Sequence, residues 1–203
     1  MGLTLNTNSL TIPSTGSSAA SGLSTSDVTT LIKNNTPYQF ITKVDGASSS
    51  TILCSNVFSA SDGFSSYKVL LNDFSFSTNM SYIYMQLEVD GSIVGTEYAW
   101  SMAKDSGSGG SFSRENGNDS KWRLYNSDIS NGLLGYIDFT NTSSGTKAVG
   151  TWHIGGSKST RHGGYAVGGG CLNNTGQITG FQIIAQTGNF PTANIRIYGV
   201  NNV

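Results

Sequence analysis

Between Tyr82 and Asp90 the chain alternates without a break. Ile83, Met85, Leu87 and Val89 fall on one side, Tyr82, Tyr84, Gln86 and Glu88 on the other, and Asp90-Gly91-Ser92 closes the run. A period of two marks an extended strand, whose successive side chains point to opposite faces. Asp-Gly is a dipeptide that lets such a strand fold back on itself as a hairpin. A helix could not sort these residues, because its apolar positions recur every three or four. The chain is therefore expected to be built from half-buried antiparallel strands.

Signals of the same kind recur at short spacing. Tyr38–Asp45 alternates and ends in Asp45-Gly46, which reads as a turn, and Thr51–Phe58 and Tyr67–Phe76 are apolar, β-branched and aromatic. Glu97–Ala103, Lys121–Tyr125, Leu134–Thr140, Val149–Ile154, Ile178–Ala185 and Asn194–Val200 follow, set apart by Gly, Asn and Ser. This pattern predicts an all-β fold over residues 37–203, an antiparallel β-sandwich of the jelly-roll kind. Composition agrees. Hydrophobic residues make up 36%, enough for a core, while only 11% is charged and the polarity comes from Ser, Thr, Asn and 26 Gly. Two segments read as loops: Asp105–Ser120, dense in Gly, Ser and Asn, and Gly155–Gly170, which carries Lys158, Arg161 and His162.

Residues 1–36 read differently, as an extended N-terminal arm. Leu3, Leu5, Leu10 and Ile12 alternate with polar residues as two short strands, and Pro13–Gly22 has the composition of a linker. Ser24-Thr25-Ser26-Asp27 is a capping box that opens one short helix, with Val28, Leu31 and Ile32 as its apolar stripe and Asn34-Asn35 as its exit. An arm this small cannot bury its own Leu and Ile, so these four residues are expected to make assembly contacts. Met1-Gly2-Leu3-Thr4-Leu5 lacks the basic start and apolar run of a secretory leader, and Asn6 stands where myristoylation requires Ser or Thr. A chain made in a cytoplasm is expected.

Chemistry is hard to find. The formal net charge of -1 argues against nucleic acid as a partner, and no apolar run is long enough for membrane insertion. His153 and His162 are the two histidines, and neither accompanies a nucleophile elbow, so both are read as non-catalytic. Glu88, Glu97 and Asp138 are read as acids on solvated strand faces or as turn caps, and Asp27, Asp45, Asp62 and Asp90 as helix-start or turn residues. Nothing pairs two acids as glycoside hydrolysis requires. Cys54 and Cys171 lack metal-ligand spacing and read as small buried or half-buried thiols, with a bridge between them left open. Gly163–Gly170 lacks the Lys-Ser/Thr ending of a phosphate loop. No catalytic residue, cofactor or metal is expected. Trp100, Trp122 and Trp152 are candidates for stacking on sugar rings, with core filling as the alternative. The five N-x-S/T sequons are read as accidental in a chain so rich in these residues.

Several strands carry a family likeness: Ser66–Leu71, Tyr82–Ser92, Tyr98-Ala99-Trp100, Gly132–Phe139, Ile178–Phe181 and Ile195–Val200. Together they resemble tailed-bacteriophage virion proteins of the head decoration (cement) or tail fibre type, over most of residues 36–203. The resemblance implies a jelly-roll sandwich, a homotrimer and no enzymatic activity. It further implies a place on the virion surface against major capsid or tail proteins, with the arm as anchor. A carbohydrate-binding module, or a fibre tip that contacts host surface glycans, is the alternative.

Overall fold

The computed structural model describes residues 4–6, 9–11, 37–46, 48–78, 80–105, 112–129, 132–140, 145–157 and 163–201. The chain divides into two compact units, Met1–Pro37 with Val203, and Tyr38–Asn202. In the first unit, β1 (Thr4–Asn6) and β2 (Ser9–Thr11) pair antiparallel with Leu5 opposite Leu10. Leu3, Ile12 and the helix expected after Ser24 lie outside the described residues.

The second unit is a sandwich of two antiparallel sheets. Its strands are β3 (Tyr38–Gly46), β4 (Thr51–Cys54), β5 (Ser66–Phe74), β6 (Met80–Val89), β7 (Ser92–Ile93), β8 (Tyr98–Asp105) and β9 (Phe112–Asp119). After these come β10 (Trp122–Ile129), β11 (Leu133–Thr140), β12 (Ala148–Ser157), β13 (Gly163–Leu172), β14 (Ile178–Ala185) and β15 (Ala193–Val200). The larger sheet runs β3-β15-β5-β11-β12-β13-β8-β9, and the smaller runs β10-β6-β14-β4 with β7 beside β6. Within these orders, β3-β15-β5-β11 and β4-β14-β6-β10 are the two four-stranded sheets of a jelly roll, with the chain crossing between them in the order that fold requires. The additions are two pairs of adjacent strands. β8–β9 is inserted between β6 and β10, β12–β13 between β11 and β14, and both pairs extend the same sheet.

Alternation decides which side chains meet. Tyr67, Val69 and Leu71 of β5, Ile195 and Ile197 of β15, Ile83, Met85 and Leu87 of β6, and Phe181 and Ile183 of β14 are all buried between the sheets. Removing each from water contributes about 1.5–3 kcal/mol before ordering costs. Asp90 and Gly91, both at positive φ (50° and 78°), form the tight hairpin between β6 and β7. Asp45-Gly46, read as a turn, stays within β3: Gly46 lies opposite Ala193, and a Cβ there would meet Ile52 Cδ1 at 2.6 Å.

An eight-stranded sheet opposed by a five-stranded one, whose fifth strand is the two-residue β7, needs filler. β10, the edge of the smaller sheet, packs against β8, β12 and β13, and three indoles occupy that region. Glycines on the inner face of the larger sheet make room for them. Cβ atoms on Gly150 and Gly170 would lie 2.9 Å and 2.5 Å from the Trp122 ring, one on Gly168 would lie 2.4 Å from Trp152, and one on Gly117 would lie 3.0 Å from Trp100. The run at residues 163–170, read as part of a loop, is therefore a central strand. Its inward glycines alternate with outward Tyr165, Val167 and Gly169, and it pairs along its length with β12 and β8. Residues 112–119, also read as loop, form the edge strand β9. Lys158, Arg161 and His162 lie outside the described residues.

Candidate functional site

Both outer faces of the sandwich carry aromatic side chains, and the outer face of the larger sheet carries more. Inward Tyr67, Val69 and Leu71 leave Lys68 and Leu70 pointing outward from β5, and inward Ile195 and Ile197 leave Arg196 and Tyr198 outward from β15. Register then sets the neighbours. Tyr198 lies opposite both Phe40 and Lys68, Lys68 opposite Asp138, and Tyr136 opposite His153.

The contacts form a continuous band. Phe40 meets Tyr198 edge-on, with ring centroids 5.6 Å apart. The Lys68 ammonium is paired with the Asp138 carboxylate and sits 4.1 Å above the Tyr136 ring, which stacks on His153 at 4.9 Å and 13°. Lys68 therefore has its charge balanced by a carboxylate and its ammonium held by a ring face. Beside it is a shallow cavity of 310 Å³ lined by Tyr38, Lys68, Leu70 and Tyr198. Tyr38 and Phe40 are 50% and 54% exposed, and Leu134, at 68%, extends the apolar surface along β11.

The outer face of the smaller sheet is more tightly engaged. Tyr82 and Tyr84 stack at 5.9 Å, with Arg123 4.4 Å above the first and Lys121 4.3 Å above the second. Arg123 reaches from β10 to the far edge of the larger sheet, where its Nη1 donates to Glu115 Oε2 at 3.0 Å, and Lys104 pairs with the other oxygen. This network fastens β9 to β10.

The tryptophans proposed for sugar stacking are placed elsewhere. Trp122 and Trp152 are wholly buried and Trp100 is 6% exposed. Trp122 lies 6.0 Å from Trp152, and its Nε1 donates to the Cys171 carbonyl at 3.2 Å. None of the three presents a ring face to solvent, because each fills space left by a glycine, so the core-filling alternative holds. Rings available to a ligand on the outer face of the larger sheet include Tyr38, Phe40, Tyr165 and the half-buried Tyr198. All of these but Tyr165 fall within segments read as strands, but no spacing in the sequence distinguishes an outward tyrosine from an inward one such as Tyr67.

Other candidates divide. His153 occupies the half-exposed outward position expected for it, stacked on Tyr136. Asp138 is partly covered by its pairing with Lys68. Glu88, read as solvated, is 2% exposed and accepts from Thr179 Oγ1 at 2.7 Å. Glu97, just before β8, and Asp119, at the end of β9, are exposed acids that share the lining of a 440 Å³ depression, and Asp119 accepts from the Ser120 amide at 2.6 Å. Cys54 and Cys171 are both free thiols, and burial pushes the Cys54 thiol up to about 12. Among the described residues, no group of three or more His, Cys, Asp or Glu is placed to hold a metal ion, and no helix is long and apolar enough to cross a membrane.

Fold and surface together define a jelly-roll β-sandwich with an aromatic outer face. No family model, curated protein or solved structure matches the chain.

Proposed function

We propose that this chain is a non-enzymatic structural protein of a bacteriophage virion, a capsid decoration or tail fibre protein that works by surface contact. The observation that carries the reading is the outer face of the larger sheet, where Tyr38, Phe40, Leu134, Val149 and Tyr165 are exposed on one side of a jelly roll. An apolar surface of this kind is characteristic of interaction sites. The titratable groups nearby are engaged in pairs such as Lys68–Asp138 and Lys43–Asp45. Self-association as a homotrimer, with residues 1–36 fastening the subunit to major capsid or tail proteins through Leu3, Leu5, Leu10 and Ile12, completes the proposal.

The test is deletion of residues 2–22, followed by measurement of incorporation into particles. Loss of incorporation with an unchanged sandwich melting temperature is expected, and unchanged incorporation refutes attachment through the arm. Sedimentation at micromolar concentration tests the trimer, and a monomer mass rejects it. The second reading, a fibre tip that contacts host glycans, is supported by the cavity between Tyr38 and Tyr198, not by the tryptophans.

A further inference from the structure

We infer that the cavity lined by Tyr38, Lys68, Leu70 and Tyr198 is a subsite for one ring of a neutral hexose glycan; this rests on the glycan-contacting reading above. Its size comes first. At 310 Å³ it lies at the small end of ligand pockets, with room for a sugar ring. Its walls are next. Tyrosine faces carry negative electrostatic potential, and one side of a pyranose ring presents a patch of weakly positive C–H bonds, so the two surfaces match in shape and sign. Tyr198 is braced by the edge of Phe40, which holds its ring in position before a ligand arrives. Preorganisation of this kind lowers the entropy lost on binding.

The lining itself is apolar, and the polar groups nearest to it are those of the Lys68–Asp138 pair, which begins at Lys68. A sugar hydroxyl both donates and accepts, and the Lys68–Asp138 pair offers an ammonium donor and a carboxylate acceptor side by side. Lys68 is set by two contacts, its carboxylate partner and the Tyr136 ring beneath it, and that ring is in turn stacked on His153. The pairing also determines the class of sugar. A carboxylated sugar would have to displace Asp138 from Lys68 or lie against its negative charge, whereas a neutral one adds hydrogen bonds to an ion pair left intact. Arg196, on neighbouring β15, donates from Nε to Asn194, and Lys43 is engaged by Asp45.

The experiment uses the full chain on a printed array of neutral hexose oligosaccharides with sialylated glycans alongside. The best neutral binder is then titrated by calorimetry into the parent and into Tyr38→Ala, Tyr198→Ala and Asp138→Asn. Binding to neutral glycans is expected, weakened about tenfold in each tyrosine variant at unchanged melting temperature. Asp138→Asn is expected to weaken neutral binding and raise the response to sialylated glycans. Three outcomes overturn the inference: no array glycan bound by the parent, a parent preference for sialylated glycans, or tyrosine variants that bind as the parent does. If instead the tyrosine variants dissociate an oligomer that binds no glycan, the cavity belongs to a subunit contact and the inference also fails. Particle incorporation after deletion of residues 2–22 is read separately, so the two readings fail independently.

Discussion

Gly168 and Gly169 are neighbours in one strand, and the same substitution in each is expected to have opposite effects. A Cβ added to inward Gly168 would stand 2.4 Å from two carbons of the Trp152 indole and 2.6 Å from its nitrogen. Carbon atoms rest about 3.5–4.0 Å apart, so the ring must retreat by more than 1 Å. It has nowhere to go, being wholly buried with Trp122 6.0 Å away. Overpacking a core costs about 1–3 kcal/mol, and losing glycine's freedom in the unfolded chain returns about 0.4–1 kcal/mol. Gly168→Ala should therefore destabilise by roughly 1–2 kcal/mol, about 2–8 °C in melting temperature for a domain of this size. Outward Gly169 differs, because its Cβ would meet nothing closer than the Gly150 carbonyl at 3.4 Å. Gly169→Ala should be neutral or stabilising by up to about 1 kcal/mol. Urea unfolding followed by tryptophan fluorescence reads both. Trp152→Phe in the Gly168→Ala background should restore part of the loss, since the Trp152 Nε1 it removes has no partner among the described residues. Equal shifts at the two glycines, or no coupling between residues 152 and 168, would refute the account of glycines as seats for indoles.

Three further outcomes are expected. Glu115→Ala leaves Lys104 and Arg123 facing each other without their carboxylate and should cost about 1–2 kcal/mol, a partly buried network lying between surface and core pairs; chemical denaturation measures it, and a change below about 0.3 kcal/mol would dismiss the β9–β10 fastening. Thr179→Val removes the hydroxyl that Glu88 accepts from and should cost about 1–3 kcal/mol, recovered in part by pairing it with Glu88→Gln; a neutral single variant would count against the buried bond. For Cys54, burial raises the thiol from 9.0 to about 12, so its contribution to stability is intact below pH 9 and is lost as pH climbs from 9 to 12; Cys54→Val should lessen the decline in melting temperature over that window, and parallel curves would argue otherwise.

Much of the fold was legible because alternation survives burial. Tyr82–Val89, Ile178–Ala185 and Asn194–Val200 could be read as strands from their period alone, and the jelly roll follows from how many such strands there are and how short their links. β13 and β9 were not legible, and for a physical reason. Glycine reads as a loop when a neighbour's bulk is unknown, and the indoles that make Gly168, Gly170 and Gly117 necessary come from β12, β10 and β8, tens of residues away in some cases. The same blindness misplaced the candidate glycan contacts. Trp100, Trp122 and Trp152 drew attention as the largest rings, yet size makes them core fillers here, while Tyr38 and Tyr198 are set outward by the pleat. Lys68 and Asp138 lie seventy positions apart and could be joined only by the β5–β11 register.

The strand order also dictates when this protein can come into being during synthesis. β14 lies between β6 and β4, and β15 between β3 and β5, so each sheet is closed by a strand translated after nearly all the others. A ribosome can release the β8–β9 and β12–β13 neighbours to pair at once, since their partners are close in the chain. β3 and β4 must wait, without a neighbour, for strands well over a hundred residues downstream, while β5 and β6 meet β11 and β10 earlier and gain their remaining neighbours only with β15 and β14. Interrupted translation thus leaves a product with neither sheet closed, and only a finished chain presents the outer face on which assembly would depend.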